Sequence, residues 1–225
     1  MKKVADQEWR IEPSADGSPT LYSHHFKSHF HSIHGAIQES EHVFIEHCLQ
    51  RIGHREITLI EIGFGTGLNA LLSLIFAMDN GIHTTYHTYE AFPLPEAIYS
   101  QLDYCRLLDC EDLKSSFIQM HASSWDAPLT IGDHLTLVKH QEDFLQADFP
   151  EGVHGVYFDA FGPGTQPELW NEEMFERLYG VMEKGAVLST YSSKGDVRRA
   201  MQSVGFEVEK VPGPPGKREM LVAFR

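Results

Sequence analysis

Apolar and polar residues change rhythm near residue 57, and the change divides the chain. Before that point the pattern is irregular. Pro13, Gly17 and Pro19 interrupt it, and histidines crowd between His24 and His47. Val43, Phe44, Cys48 and Ile52 recur near helical spacing, which predicts a short amphipathic helix over 39–51 that Gly53 would end. After it, strand and helix patterns alternate. TLIEIG over 58–63 reads as a buried strand, followed by a Gly-rich turn and an apolar helix from Leu68 to about Met78. The Thr- and Tyr-rich run from His83 to Glu90 predicts a second strand, and Pro95 suits the first turn of a second helix. HLTLVKH and VHGVYFDAF supply two more strands, with the helical-looking FLQAD between them. A helix over 172–184 stopped by Gly185, a strand AVLSTY, a helix over 195–204 and the strands FEVEKV and MLVAF complete the pattern. This alternation predicts an α/β fold with a doubly wound, mostly parallel sheet covered on both faces. A chain of 225 residues suits one domain, with 1–53 as an extension packed on a core over 54–225.

Composition narrows the function classes. Hydrophobic residues make up 42% and charged residues 22%, which excludes a disordered or low-complexity chain. No apolar stretch reaches the length of a membrane span, and the opening MKKVADQEWR lacks the apolar centre of a signal peptide, so a cytoplasmic protein is expected. Cys48, Cys105 and Cys110 have no ligand-like or framework spacing and read as reduced, partly buried thiols. A net charge of −14 argues against a general nucleic-acid coat, because phosphate contacts need Lys and Arg. The charge is uneven: residues 184–225 sum to +4 and the remainder to −18.

The chemistry concentrates at strand ends. Glu61-Ile62-Gly63-Phe64-Gly65-Thr66-Gly67 lies where a strand gives way to a helix, so glycines can form a tight turn and a ligand can approach the backbone at the helix amino terminus. The glycines run GxGxG. A dinucleotide fingerprint would need a glycine at Leu68, which disfavours a nicotinamide cofactor. Glu90 ends the next strand, where a carboxylate can accept from both ribose hydroxyls, and Glu142 and Asp143 follow a later one, in reach of an adenine amine. A helix cap accounts for Asp143 equally well. Together these positions resemble the S-adenosylmethionine site of the Rossmann-like class I methyltransferases. Asn69 joins the expected cofactor-binding set.

A second block is more specific. Tyr157-Phe158-Asp159-Ala160-Phe161-Gly162-Pro163, continuing GTQPELW to Trp170, resembles the DxFxPxxxPxxW signature of the methyltransferase half of the bacterial enzyme that completes 5-methylaminomethyl-uridine at the tRNA wobble position. HGAIQES over 34–40, Val43-Phe44, YSSKG over 191–195, Val197-Arg198-Arg199, Gly205-Phe206 and KREM over 217–220 are similar to the same family, so the resemblance spans residues 20–224. It implies methyl transfer from S-adenosylmethionine to a primary amine on tRNA that an upstream tRNA-modifying enzyme supplies. With 225 residues it also implies a stand-alone form without the family's flavin-dependent half. The expected roles follow. Asp159 orients the amine and helps take its proton. Phe161, Pro163 and Trp170 wall the base pocket. Lys194, Arg198, Arg199, Lys217 and Arg218 face the tRNA backbone, Tyr22 and His34 cover the cofactor where the family's amino-terminal extension folds over its methionine end, and Glu39 joins the cofactor-binding set. His24, His29, His31 and His34 match no standard zinc spacing, so no metal is expected. The competing expectations are a methyltransferase of small amines, an NAD-dependent oxidoreductase and a catalytically silent binding module on the same fold.

Overall fold

The computed structural model describes residues 8–225; the polar opening segment before Glu8 lies outside them. The extension contains a small antiparallel sheet of β1 (Trp9–Pro13), β2 (Pro19–Ser23) and β3 (Ser28–His29), which the irregular sequence pattern did not predict. Its turn is held by Asp16, whose carboxylate accepts from the amides of Ser18 (2.9 Å) and Gln38 (3.1 Å) and so joins the hairpin to the helix that follows. That helix begins as α1 (Ala36–Ser40), continues as a π-helical turn over Glu41–Glu46 and ends in a 3-10 turn, Leu49–Arg51. Its apolar face, with Val43, Phe44 and Leu49 fully buried, belongs to the same core as Leu59 and Leu71.

The core begins with β4 (Glu56–Ile62), α2 (Leu68–Asn80) and β5 (His83–Tyr89). Short helices α3 (Glu96–Tyr99) and α4 (Tyr104–Leu107) lead to α5 (Lys114–Ala122), then to β6 (Pro128–Ile131), β7 (Leu135–His140) and β8 (Val153–Phe158). Helix α6 (Glu172–Val181), β9 (Met182–Thr190), α7 (Gly195–Ser203), β10 (Glu207–Pro212) and β11 (Glu219–Phe224) complete it. The eight strands lie in the order β10-β11-β9-β8-β4-β5-β7-β6. β9, β8, β4, β5 and β7 are parallel, while β6, β10 and β11 pair antiparallel at the margins. The chain winds outward from β4 through β5 to β7, then returns to place β8 on β4's other side. That reversal opens a crevice at the carboxyl ends of β4 and β8.

Two elements differ from the sequence pattern. The helix predicted to reach Lys184 ends at Val181, because Met182 already pairs with Val153 of β8; Gly185, with φ of 84°, lies inside β9. Residues 144–148 form a turn. Asp143 Oδ1 accepts from Leu145 N (3.0 Å), and the Arg177 guanidinium donates to the carbonyls of Phe144 (3.3 Å) and Leu145 (2.9 Å). A side chain from α6 thus satisfies carbonyl groups that a helix would have bonded internally. All three cysteines are buried and unpaired, and no helix among the described residues is long and apolar enough to cross a membrane.

Gly155 shows how closely β8 packs. A Cβ there would collide with Leu59 Cδ2 and stand 2.8 Å from Ile52 Cδ1 and 3.2 Å from Cys48 Sγ. Gly155→Ala is expected to lower unfolding stability by about 1–3 kcal/mol, the usual cost of overpacking. Denaturant melts with an unchanged midpoint would contradict this packing.

Candidate active site

The turn between β4 and α2 has an unusual backbone. Gly63, Gly65 and Gly67 take φ of 87°, 49° and 73°, a left-handed region that side chains rarely adopt. Glu90, at the end of β5, braces the turn. Its Oε2 accepts from Gly65 N (3.0 Å) and its Oε1 from Phe92 N (2.8 Å), leaving one lone pair on each oxygen toward the cleft. Burial holds this carboxyl above the usual range. From the other side His121 Nε2 donates to Thr66 O (3.0 Å), and the buried Lys139 ammonium donates to His121 O (2.6 Å) beneath the Trp125 ring. Burial lowers Lys139 to about 8 and His121 to about 4, so the imidazole is a neutral prop.

Below the turn, three acidic side chains converge. Asn69, in the first turn of α2, donates from Nδ2 to Glu61 Oε1 (3.0 Å) and to Asp159 Oδ2 (2.9 Å). Thr88 donates to the second Glu61 oxygen (2.8 Å). Burial raises Glu61 to about 8. Asp159 is pushed well above the ordinary carboxylate range, first by burial and then by the charges of Glu39 and Glu61. Glu39 reaches in from α1: Ser32 N donates to its Oε2 (2.6 Å), and Lys217 Nζ bonds its Oε1 (2.6 Å) while lying 3.9 Å from the centre of the Tyr191 ring. Asn69 Oδ1 is buried and has no partner.

Gly63, Gly65, Asn69, Glu90, Asp159 and Glu39 line a cleft of about 800 Å³. The extension covers it: His31 Nε2 meets Thr66 Oγ1 (2.8 Å), and Phe30 lies against Gly65. The mouth is aromatic. Phe26 stacks on Phe161 (4.4 Å between centroids) and meets Phe92 edge-on (5.5 Å), while Phe30 meets Phe161 edge-on (5.2 Å).

Of the residues expected from sequence, Glu39, Gly63, Phe64, Gly65, Thr66, Asn69, Glu90, Glu142, Asp143, Asp159, Phe161 and Lys217 line this cleft. Glu61 lies one layer beneath, and Gly67 caps α2 with His121 packed where a Cβ would go (2.8 Å). Tyr22 packs in the hairpin against His24, His29 and Arg10 and is not part of the cleft lining. Trp170 is core: its indole N–H donates to Phe161 O (2.9 Å) and thereby fixes the loop carrying that ring. Pro163, Lys194, Arg198 and Arg218 are off the cleft lining, and Lys194 and Arg218 are exposed. Lys217, expected on the tRNA backbone, is engaged inside with Glu39 because that buried carboxylate needs a cation. Sequence reasoning missed His121, Lys139, Phe26 and Phe30, which have no local motif and converge only through the fold; Tyr191 opens the YSSKG block, but the block alone gave it no role in the site.

Comparison with known proteins bears on this cleft. A family model described as S-adenosyl-L-methionine-dependent methyltransferase matches residues 109–225. The chain belongs to that family. The matched segment contains Asp159 and Lys217 but not the glycine turn, so the turn geometry is a separate observation pointing the same way. Two curated relatives are bifunctional proteins named for tRNA 5-methylaminomethyl-2-thiouridine biosynthesis. The one from Methylobacillus flagellatus is 30% identical over 96% of this chain and 34% of its own length; that from Magnetococcus marinus is 31% identical over 97% and 33%. The chain therefore spans about a third of the length of the curated relatives it matches. The crystal structure of MNMC2 from Aquifex aeolicus shares the fold, with a TM-score of 0.74 and 24% identity over 96% of this chain and 70% of that one.

The family's cofactor is S-adenosylmethionine, and the cleft fits it. Three left-handed glycines leave their positions in the turn without a Cβ, Glu90 has acceptor capacity to spare, and Asn69 Oδ1 is an acceptor still lacking a donor. These features do not suit a nicotinamide dinucleotide, whose third glycine would fall at the buried Leu68.

A Cβ on Gly65 would sit 2.9 Å from the Phe30 ring at a φ of 49°. Gly65→Val is expected to unseat both the turn and its cover, leaving a folded protein whose cofactor affinity falls at least tenfold, about 1.4 kcal/mol. Isothermal titration with S-adenosylmethionine measures this; unchanged affinity would remove the turn from the site.

Proposed function

We propose that this chain methylates the primary amine of 5-aminomethyl-(2-thio)uridine at the wobble position of cytoplasmic tRNA. The observation carrying the proposal is Asp159, a carboxylate at the carboxyl end of β8 held by Asn69 beside an aromatic mouth. S-adenosylmethionine, when bound, supplies an electrophilic methyl group. The residues supporting its binding are Gly63, Gly65, Thr66 and Asn69 at the turn, Glu90 for the ribose, and Glu142 and Asp143 near the adenine. The protein's own task is to present a neutral amine in line with that methyl. Asp159 suits it: an amine N–H directed at Oδ1 is oriented by that bond, and the raised proton affinity lets the carboxylate take up a departing proton. Phe161 and its neighbours Phe26 and Phe92 offer flat apolar faces for an extruded uridine.

The relatives named for this biosynthesis support the substrate, and the charge distribution supports a polynucleotide partner. Exposed Lys194 and Arg218, the latter next in sequence to the cleft-lining Lys217, belong to the basic stretch 184–225, the flank of an otherwise acidic chain. A small free amine would need no such basic flank. Arg218→Ala is expected to weaken tRNA binding and lower the salt slope by about one unit, with cofactor affinity unchanged. A salt slope equal to that of the wild type would place the backbone elsewhere.

If Asp159 must be ionised to work, single-turnover methylation should be lost as pH falls through its raised pKa and regained above it. Asp159→Asn keeps the size and hydrogen-bonding shape but removes the base. The rate should drop by about a hundredfold or more, and the acidic limb of the pH profile should flatten. The substrate is tRNA lacking the final methyl, at saturating cofactor. A wild-type rate for the asparagine variant would reduce Asp159 to a structural group.

A further inference from the structure

The π-helical turn that follows α1 brings together three side chains the cleft does not use. An α-helix would rotate His47 about 140° from His42, since each residue turns about 100°. The wider π turn, with its i→i+5 spacing, sets the two on one side, and their rings lie 4.4 Å apart. Glu46 stands with them, and one ligating atom from each of the three lies within 4.8 Å of the others.

Hydrogen bonds on the outer nitrogens fix both tautomers. His42 Nε2 donates to Pro212 O (2.9 Å), and His47 Nδ1 donates to His42 O (2.8 Å). Carbonyl oxygens only accept, so the lone pairs remain on His42 Nδ1 and His47 Nε2. His42 Nδ1 lies 2.9 Å from Glu46 Oε2. A lone pair and a carboxylate at that distance repel each other unless a cation joins them. A proton would serve His42 and Glu46 and leave His47 outside; a metal ion serves all three. An N–H given to a backbone carbonyl is also the usual support of a metal-bound imidazole. The neighbouring Glu41 adds negative charge beside Glu46, while Arg51, whose charge also reaches His47, is paired with Glu209 (3.4 Å).

We propose that His42, Glu46 and His47 form a binding site for a divalent transition metal, Zn2+ by its donor set, with water at the remaining position. Two imidazole nitrogens and one carboxylate suit Zn2+, whose tetrahedral ligands stand about 3.4 Å apart at bond lengths near 2.1 Å. Glu46 is exposed and free to close the remaining distance. Bound there, the ion would staple the π turn to the end of β10, through the Pro212 carbonyl that holds His42. The loop leaving β10 carries Lys217 back to Glu39 on α1, so the ion would brace the same junction from the outer side.

The test is titration of the metal-free full chain with Zn2+ against a chromophoric chelator. One equivalent should bind with micromolar or tighter affinity and raise the melting midpoint. Glu46→Gln should weaken it at least tenfold and shrink the zinc-induced rise in midpoint, and His47→Ala should abolish binding and leave the midpoint insensitive to zinc. Long-range proton–nitrogen NMR spectra of the wild type give a reading that needs no variant: Zn2+ should shift His42 Nδ1 and His47 Nε2. No stoichiometric binding, binding that survives both substitutions, or binding that leaves those nitrogens unmoved would overturn the site.

Discussion

Carboxylates buried beneath the glycine turn constrain nearly everything around them. Removing one from water costs several kcal/mol, and Glu39, Glu61 and Asp159 also repel one another. The structure meets that cost with few groups. One Asn69 nitrogen serves two of the carboxylates, Thr88 serves one, and Lys217 comes from the far end of the sequence to serve the third. Helix α2 must therefore start where it does, so that Asn69 falls on its inner side. The loop between β10 and β11 must fold back toward α1.

That requirement gives the amino-terminal extension its place. Ser32 and Asp16 brace the extension internally, through Glu39 and the first turn of α1, and two bonds tie it to the core at the cleft, Glu39 to Lys217 and His31 to Thr66. The cover and the turn are correspondingly coupled: Phe30 occupies the space that Gly65 leaves open. Where the polar groups end, aromatic rings take over, and Phe92 is 45% exposed at the rim. A cleft polar at depth and apolar at its mouth can hold a charged cofactor and a flat base without either displacing the other's contacts.

Much of this was legible in the chain. Alternating strand and helix patterns, three glycines spaced GxGxG after a buried strand, Glu90 at the next strand end and Asp159 in its proline-bounded block all reflect local rules, and a local rule leaves a local trace. Where two local readings competed, packing chose between them. Residues 182–184 continue a helical pattern but belong to β9, where Met182 pairs with Val153 of β8, and 144–148 have helical composition but yield carbonyls to Arg177.

The sequence by itself thus determined the alternation of the main core strands and helices, the strand-to-helix turn and the carboxylates at the strand ends, because backbone conformation and hydrophobic period are set by neighbouring residues. Only the tertiary structure decided which of those carboxylates share a hydrogen-bond donor and that Lys217 faces inward. It alone joined Lys139 and His121 as a prop behind the turn and set Phe26 on Phe161. Apart from the Asn69–Glu61 bond, which spans 8 positions, these contacts join residues far apart in the chain, between 18 and 178 positions, and their energies depend on burial, which no short window of sequence reports.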